Sequence, residues 1–268
     1  MSIQPSSTLR SKQWPGRLLW LFGLLLAGLL AINVIGLISD NPQPAPSGAA
    51  AMSFRTLPPG SALPSGEQCA QRVRRSDWEP RPENTVANHT VPEEVSLPDW
   101  DAYLPRANSQ LKPRIDGRFT GTTDEIIQWA ACKWGFDEDV VRAIAVRESN
   151  WVQDEVGDYE DDERKCVEGD SPPCPTSFGL LQIKHYTYPG TFPDSYRSTA
   201  FNVDNVLGDL RACYEGWITF LHGDYRAGDL WGCVGYHWSG RWKDQGANRY
   251  AQNVQKALAA KPWLKWDG

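Results

Sequence analysis

A glutamate near the middle of the chain, Glu148, has the setting of a group that could transfer protons. It lies in the last turn of a helix predicted between Asp137 and Asn150. It follows Ile144 by four residues and Val141 by seven, so it shares their apolar face. Burial among apolar groups and the negative end of a helix dipole both disfavour a charged carboxylate. Glu148 is therefore a candidate general acid, and the alternative is a carboxylate that meets solvent or a basic partner.

An acidic run follows this helix and is the second feature that could do chemistry. Residues 154–170 (DEVGDYEDDERKCVEGD) carry nine acidic and two basic side chains. Such a run is usually a solvated loop or a patch that attracts cations. The functional hypothesis is that Asp158, Asp161 or Asp162 positions a water molecule near Glu148. The run has no EF-hand pattern and the chain has no C-x-x-C pair, so we expect neither a metal site nor a cofactor.

Helical patterns on both sides of Glu148 predict the elements that must position it. A capping box, Thr122 to Glu125, begins a helix that runs to Trp134. The other predicted helices, recognised by apolar residues at helical spacing, cover residues 202–221, 230–236 and 245–260. No strong alternation of apolar and polar residues indicates a strand. We therefore expect a mainly helical domain over residues 116–268.

The N-terminal part of the chain predicts a membrane anchor. Residues 18–39 carry no charge and, as a helix of 22 residues, would span roughly 33 Å, which is enough to cross a bilayer. Residues 1–17 hold three basic side chains and no acidic one, which predicts a cytoplasmic N-terminus and an extracytoplasmic body in the cell membrane. The alternative is a cleaved signal peptide and a secreted protein. An apolar run longer than the usual h-region of about 7–15 residues favours the anchor.

Residues 40–115 are rich in Pro, Ser, Gly and Ala and predict an extracytoplasmic linker between the membrane and the helical domain. The net charge of the whole chain is −6 although its first 17 residues are basic. An acidic body of this kind argues against nucleic acid as a partner.

Six cysteines follow the apolar segment, and an even count in an exported protein indicates disulfides. Cys166 and Cys174 bracket a short Pro-rich loop, and Cys213 and Cys233 could join two neighbouring helices. The remaining pair, Cys69 and Cys132, would pin the linker to the domain. The sequence alone leaves other pairings open.

Five short motifs follow one another in the helical part of the chain. They are Glu148-Ser149, the stretch TSFGLLQI at residues 176–183, Asn202 at a helix start, Gly235-Tyr236-His237, and Tyr250. Their order resembles the superfamily of SLT-type lytic transglycosylases and goose-type lysozymes over about residues 120–260. The chain departs from that pattern at Leu181, where Met is usual, at His237, where Asn is expected, and in its acidic insertion.

This resemblance implies a lysozyme-like domain that cleaves the MurNAc–GlcNAc bond of peptidoglycan glycan strands. Glu148 would be the general acid and base, and the sugar's own 6-hydroxyl would attack to give a 1,6-anhydro product. The residues implied to bind substrate are Ser149, Ser177, Gln182, Tyr236 and Tyr250. The alternatives are a hydrolase of the goose type and a catalytically silent peptidoglycan-binding module.

Several of these residues also have ordinary structural interpretations. Gln182 could cap a turn, and Ser149 could bond back to its own helix. Trp151, Trp238 and Trp242 could stack on sugar rings, but tryptophan is more often part of a core.

Overall fold

The computed structural model describes residues 53–100 and 104–267, which belong to one compact unit. The predicted cytoplasmic segment 1–17, the predicted anchor 18–39 and the first part of the predicted linker lie outside the described residues. Within the described part, no helix is both long enough and apolar enough to span a bilayer.

Helices dominate the described part of the chain, so the prediction of a mainly helical protein is confirmed. The helices are α1 (Gly66–Ala70), α2 (Thr85–Asn88), α3 (Pro105–Gln110), α4 (Thr123–Trp134), α5 (Glu138–Glu148), α6 (Asp194–Arg197), α7 (Thr199–Tyr214), α8 (Leu230–Ser239) and α9 (Gln245–Ala260). Short 3₁₀ helices cover Pro82–Asn84, Lys112–Arg114, Glu163–Lys165 and Pro262–Lys265. Three two-residue strands, β1 (Val156–Gly157), β2 (Ser177–Phe178) and β3 (Ile183–Lys184), pair antiparallel in that order.

Capping groups set the bounds of the two helices that precede the site. The capping box of α4 is formed by Thr122 and Glu125, and Gly135 ends the helix in a left-handed conformation with φ of 66°. The side chain of Asp137 then caps α5 by accepting hydrogen bonds from the first-turn amides. Helix α5 ends at Glu148, two residues before the predicted end at Asn150, and Ser149 is its C-cap. These local signals fix where the carboxyl group leaves the helix.

The central helix α7 is buried along its whole length. It begins three residues before the predicted start because the Ser198 hydroxyl caps it, accepting from the Phe201 amide at 3.2 Å. It ends at Tyr214 rather than near residue 221, since Gly216 turns the chain with φ of 78°. Helix α4 packs on α7, and α9 packs on both α5 and α8, which brings the C-terminal part of the chain to Glu148.

Residues 53–100 pack on the helical body, although their composition predicts a linker. Cys69 is fully buried and is bonded to Cys132 of α4. The buried Asn84 side chain donates to the Trp151 carbonyl at 2.7 Å and accepts from the Gln153 amide at 2.8 Å. Specific long-range bonds of this kind hold a segment that has little regular structure of its own.

The structure contains three disulfides, and they are the three pairs favoured in the sequence analysis. They join Cys69 to Cys132, Cys166 to Cys174 and Cys213 to Cys233. The first ties residues 53–100 to α4, the second closes a loop beside the small sheet, and the third links α7 to α8. All six cysteines are therefore paired.

Candidate active site

An open cleft of about 840 Å³ lies at the C-terminal end of α5. Its walls come from α5, the three-stranded sheet, α7 and α8, so the cleft is formed only when these elements pack together. The side chains on its surface that could bind a ligand or take part in a reaction include Glu148, Ser177, Gln182, Asp209, His237 and Trp238.

Glu148 is held in this cleft by two side chains from the C-terminal helices. Its own side chain is only 10% exposed. The Tyr250 hydroxyl on α9 donates a hydrogen bond to Oε1 of Glu148. Nε2 of His237 on α8 lies 3.6 Å from the same oxygen. The carboxyl group is thus nearly enclosed but still reaches the cleft, which is the setting required of a proton donor.

His237 is a partner of Glu148 that can carry a positive charge. Burial by itself lowers the pKa of His237, but the adjacent carboxylate of Glu148 outweighs it, and Asp209 adds to the same effect. The net result is a raised pKa. His237 therefore keeps a proton beside Glu148 to a higher pH than an ordinary histidine does.

Tyr250 is suited to remain a hydrogen-bond donor. Burial, followed by the nearby charge of Glu148, raises its pKa well above the ordinary value, so its hydroxyl stays protonated. Its ring stacks on Trp238 with centroids 5.9 Å apart and an angle of 11° between the planes. Trp238 is 53% exposed and lines the cleft, so its ring is available to a ligand.

A second carboxyl group lies behind His237. Asp209 of α7 is almost completely buried, and burial raises its pKa. The Tyr188 hydroxyl donates to its Oδ2 at 3.0 Å, and the charge of His237 also favours its ionised form. Glu148, His237, Asp209 and Tyr188 therefore all line the same cleft.

The Gly-Leu-Leu-Gln turn at residues 179–182 is fixed to the core by side chains. Oδ1 of the buried Asn202 accepts from the Leu181 amide at 2.8 Å, and its Nδ2 donates to the Phe178 carbonyl at 2.9 Å. A Cβ atom on Gly179 would lie 2.2 Å from Nδ2 of Asn202, so only glycine fits. The Ser149 hydroxyl donates to the Leu180 carbonyl at 2.8 Å, which joins the turn to the end of α5.

The structure brings most of the expected substrate-binding residues to the cleft. Ser177, Gln182 and Tyr236 line the cleft. Tyr250 does not line it, but its hydroxyl donates a hydrogen bond to Glu148, which does. Ser149 does not line it; this side chain is buried and connects α5 to the turn. The amide nitrogen of Gln182 also stabilises the turn, donating to the Gly179 carbonyl at 2.9 Å and the Glu155 carbonyl at 3.1 Å.

The three aspartates considered for water positioning separate in the structure. Asp158 lines the cleft, where its Oδ2 accepts from Ser177 at 2.8 Å and pairs with Lys184 at 2.7 Å. Burial raises the pKa of Asp158, but the hydrogen bonds from Lys184 and Ser177 outweigh it and lower the pKa.

Asp161 and Asp162 do not line the cleft. Arg164 holds Asp162 by hydrogen bonds that lower its pKa to about 2. Among the described residues, no cluster of His, Cys, Asp and Glu could hold a metal ion.

Sequence reasoning missed the roles of His237, Asp209 and Tyr188. His237 was visible as a departure from the expected motif, but its partner Glu148 is far away along the chain. Asp209 lies among the apolar residues Val206, Leu207 and Leu210, and a charged residue in such a pattern is a usable signal. No comparable signal marks Tyr188.

Comparison of the chain with protein-family models, with curated proteins and with solved structures finds no match in any of the three. The function is therefore inferred from the cleft itself and from the order of the motifs that line it.

Proposed function

We propose that this protein cleaves the MurNAc–GlcNAc bond of peptidoglycan as a lytic transglycosylase, with Glu148 as general acid and base. The observation that carries the proposal is the placement of this carboxyl group. It is nine-tenths buried, receives a hydrogen bond from Tyr250, lies beside His237 and opens into a cleft. The lysozyme-like fold implied by the motifs belongs to the same proposal.

The proposed reaction uses the single carboxyl group twice. Glu148 first donates its proton to the glycosidic oxygen as the bond to the anomeric carbon breaks. The resulting carboxylate then accepts the proton of the sugar's 6-hydroxyl while that oxygen bonds to the anomeric carbon. The 1,6-anhydro product forms, and Glu148 recovers its proton for the next cycle.

Neighbouring groups support both steps. The hydrogen bond from Tyr250 stabilises the carboxylate that remains after proton donation. His237 supplies a nearby positive charge, which stabilises the same intermediate state. The exposed ring of Trp238 offers a flat face for a sugar, and Ser177 and Gln182 offer polar atoms that can orient it.

The state of Asp158 favours transglycosylation over hydrolysis. A goose-type hydrolase needs a carboxylate that positions a water molecule. Of the three aspartates considered for that task, Asp158 alone lines the cleft, and both Ser177 and Lys184 occupy its Oδ2. Hydrolysis remains the second candidate because Asp158 does face the same cleft as Glu148.

We further propose an extracytoplasmic location, either anchored through residues 18–39 or secreted after cleavage. The three disulfides support this part of the proposal, since such bonds persist in oxidising compartments. The membrane and the glycan strands of the cell wall are the partners that it implies.

The chemical test is to incubate purified peptidoglycan with the full chain and to identify the soluble products by mass spectrometry. We expect muropeptides that end in 1,6-anhydro sugars. Products with reducing ends would instead support hydrolysis, and a lack of soluble product would support a binding module.

A further inference from the structure

A second cavity of about 380 Å³ adjoins the cleft, and the proposed cleavage step does not use it. We call it the side cavity. It shares one wall with the cleft, formed by Tyr186, Thr187, Tyr188, Asp209 and Tyr236. The other wall contains Leu97, Pro98, Asp99, Trp100 and Phe220. The five shared residues therefore place the side cavity directly beside the cleft.

The wall made by residues 97–100 is held in place by α3 and the residues that follow it. Nζ of Lys112 donates to the Leu97 carbonyl at 3.2 Å and pairs with the Asp99 carboxylate. The Trp100 amide donates to Oδ1 of Asn108 at 2.8 Å, and Nδ2 of Asn108 donates back to the Trp100 carbonyl at 3.3 Å. The side cavity is therefore largely formed before a ligand arrives.

Aromatic faces and hydroxyl groups dominate the side cavity. Trp100, Tyr186 and Tyr236 contribute rings, and Phe220 contributes another that is 37% exposed. Flat apolar faces combined with hydroxyl groups suit a ligand such as a sugar, which also has apolar and polar surfaces.

The charges distinguish the side cavity from the cleft. Among the described residues that line the side cavity, none is Lys, Arg or His. Its two carboxylates already have partners, Asp99 with Lys112 and Asp209 with Tyr188. The cleft, in contrast, is also lined by Arg147, Lys184 and Arg241. A carboxylate-bearing stem peptide thus has basic partners only in the cleft, and the side cavity suits a neutral group.

We propose that the side cavity binds a neutral N-acetylated sugar of the glycan strand, beyond the sugars next to Glu148. This inference rests on the proposed function and adds a preference for longer strands. Because residues 97–100 form part of the site, the segment that resembles a linker in composition contributes to substrate binding.

The test measures binding to the full chain carrying Glu148→Gln, by calorimetry with neutral N-acetylglucosamine oligomers. We expect the hexamer to bind more tightly than the dimer. Adding Phe220→Ala should weaken hexamer binding by about tenfold, which is typical of losing one aromatic contact, and should leave dimer binding unchanged. Phe220→Tyr, which keeps the ring, should restore the hexamer affinity.

Tyr196→Ala is the matched control, because Tyr196 is 38% exposed and lies outside both spaces. Hexamer binding that is undetectable, or equal with and without Phe220→Ala, would overturn the inference. A different result would contradict the proposed function alone: the unmodified chain would release no product from peptidoglycan while hexamer binding still depended on Phe220.

Discussion

Replacing His237 with asparagine, the residue expected at this position of the motif, removes a charged partner of Glu148. Nε2 of His237 lies 3.6 Å from Oε1 of Glu148, and the two side chains are 11% and 10% exposed. At an effective dielectric constant of about 20, this separation gives an attraction of about 4.6 kcal/mol. Desolvation of both groups offsets part of it, so the pair should contribute about 1–3 kcal/mol to the free energy of unfolding.

The sign of the pH dependence follows from the raised pKa of His237. A raised pKa adds stability that is fully present below the unfolded-state value of about 6.5 and is lost as the pH rises through the folded-state value. His237→Asn should therefore unfold at a lower temperature than the unmodified protein in mildly acidic buffer. The difference should shrink in alkaline buffer.

The activity should respond to the same substitution. His237 lies beside Glu148 and keeps its proton to a higher pH than an ordinary histidine does. The alkaline limb of the pH–rate profile should therefore move to lower pH in His237→Asn, because the variant lacks the proton that His237 holds beside Glu148. His222→Asn is the control, since His222 is exposed and does not line the cleft.

The assay is the rate of product release from purified peptidoglycan over a range of pH, paired with thermal unfolding in the same buffers. An alkaline limb that coincides for His237→Asn, His222→Asn and the unmodified chain would refute the reasoning. A limb that moves to higher pH in His237→Asn would do the same.

Two further substitutions test the surroundings of Glu148. Tyr250→Phe removes the hydrogen bond to Glu148, and a bond to a charged group contributes about 1.5–3 kcal/mol, so kcat should fall by roughly 10–150-fold while KM changes little. Steady-state kinetics checks this, with Tyr159→Phe, at an exposed tyrosine outside the cleft, as the control. Asn202→Ala breaks the hydrogen bonds that hold the Gly-Leu-Leu-Gln turn and should lower the free energy of unfolding by about 3 kcal/mol. The control, Asn248→Ala at an exposed asparagine, should lower it by less than about 0.5 kcal/mol. Equal unfolding midpoints for the two asparagine variants would contradict this account of the turn.

Local signals in the sequence were sufficient for the helices that carry the site. The capping box at Thr122 and the cap at Asp137 determine α4 and the start of α5 within a few residues. The end of α7 was misplaced because it depends on Gly216 adopting a left-handed conformation where the chain packs against Ala227. A glycine in an apolar pattern does not reveal which conformation it will adopt.

The candidate site was only partly predictable from the sequence. The motifs indicated Glu148 and Gln182, and both line the cleft. The contact between Glu148 and His237 joins α5 to α8, so no local periodicity could reveal it. The resemblance implied that Ser149 binds substrate, yet its position as the C-cap of α5 directs its hydroxyl to the Leu180 carbonyl.

The segment 53–100 shows why composition alone is a poor guide to packing. Its Pro, Ser and Gly content is that of a linker, but a few long-range contacts decide its structure. The amide of Thr123 donates to Glu79 at 2.6 Å, and Asn84 bonds to the backbone on both sides of Val152. A single buried amide or carboxylate can hold many irregular residues, and sequence statistics do not identify its partner.

The most direct test of the central claim compares the unmodified chain with Glu148→Gln in the release of soluble muropeptides from purified peptidoglycan. Glutamine keeps the size of the side chain but cannot donate the proton that breaks the glycosidic bond. We predict anhydro-muropeptides from the unmodified chain and none from Glu148→Gln, with both proteins assayed well below their unfolding temperatures. Release by Glu148→Gln at the unmodified rate would contradict the assignment of Glu148 as the catalytic acid.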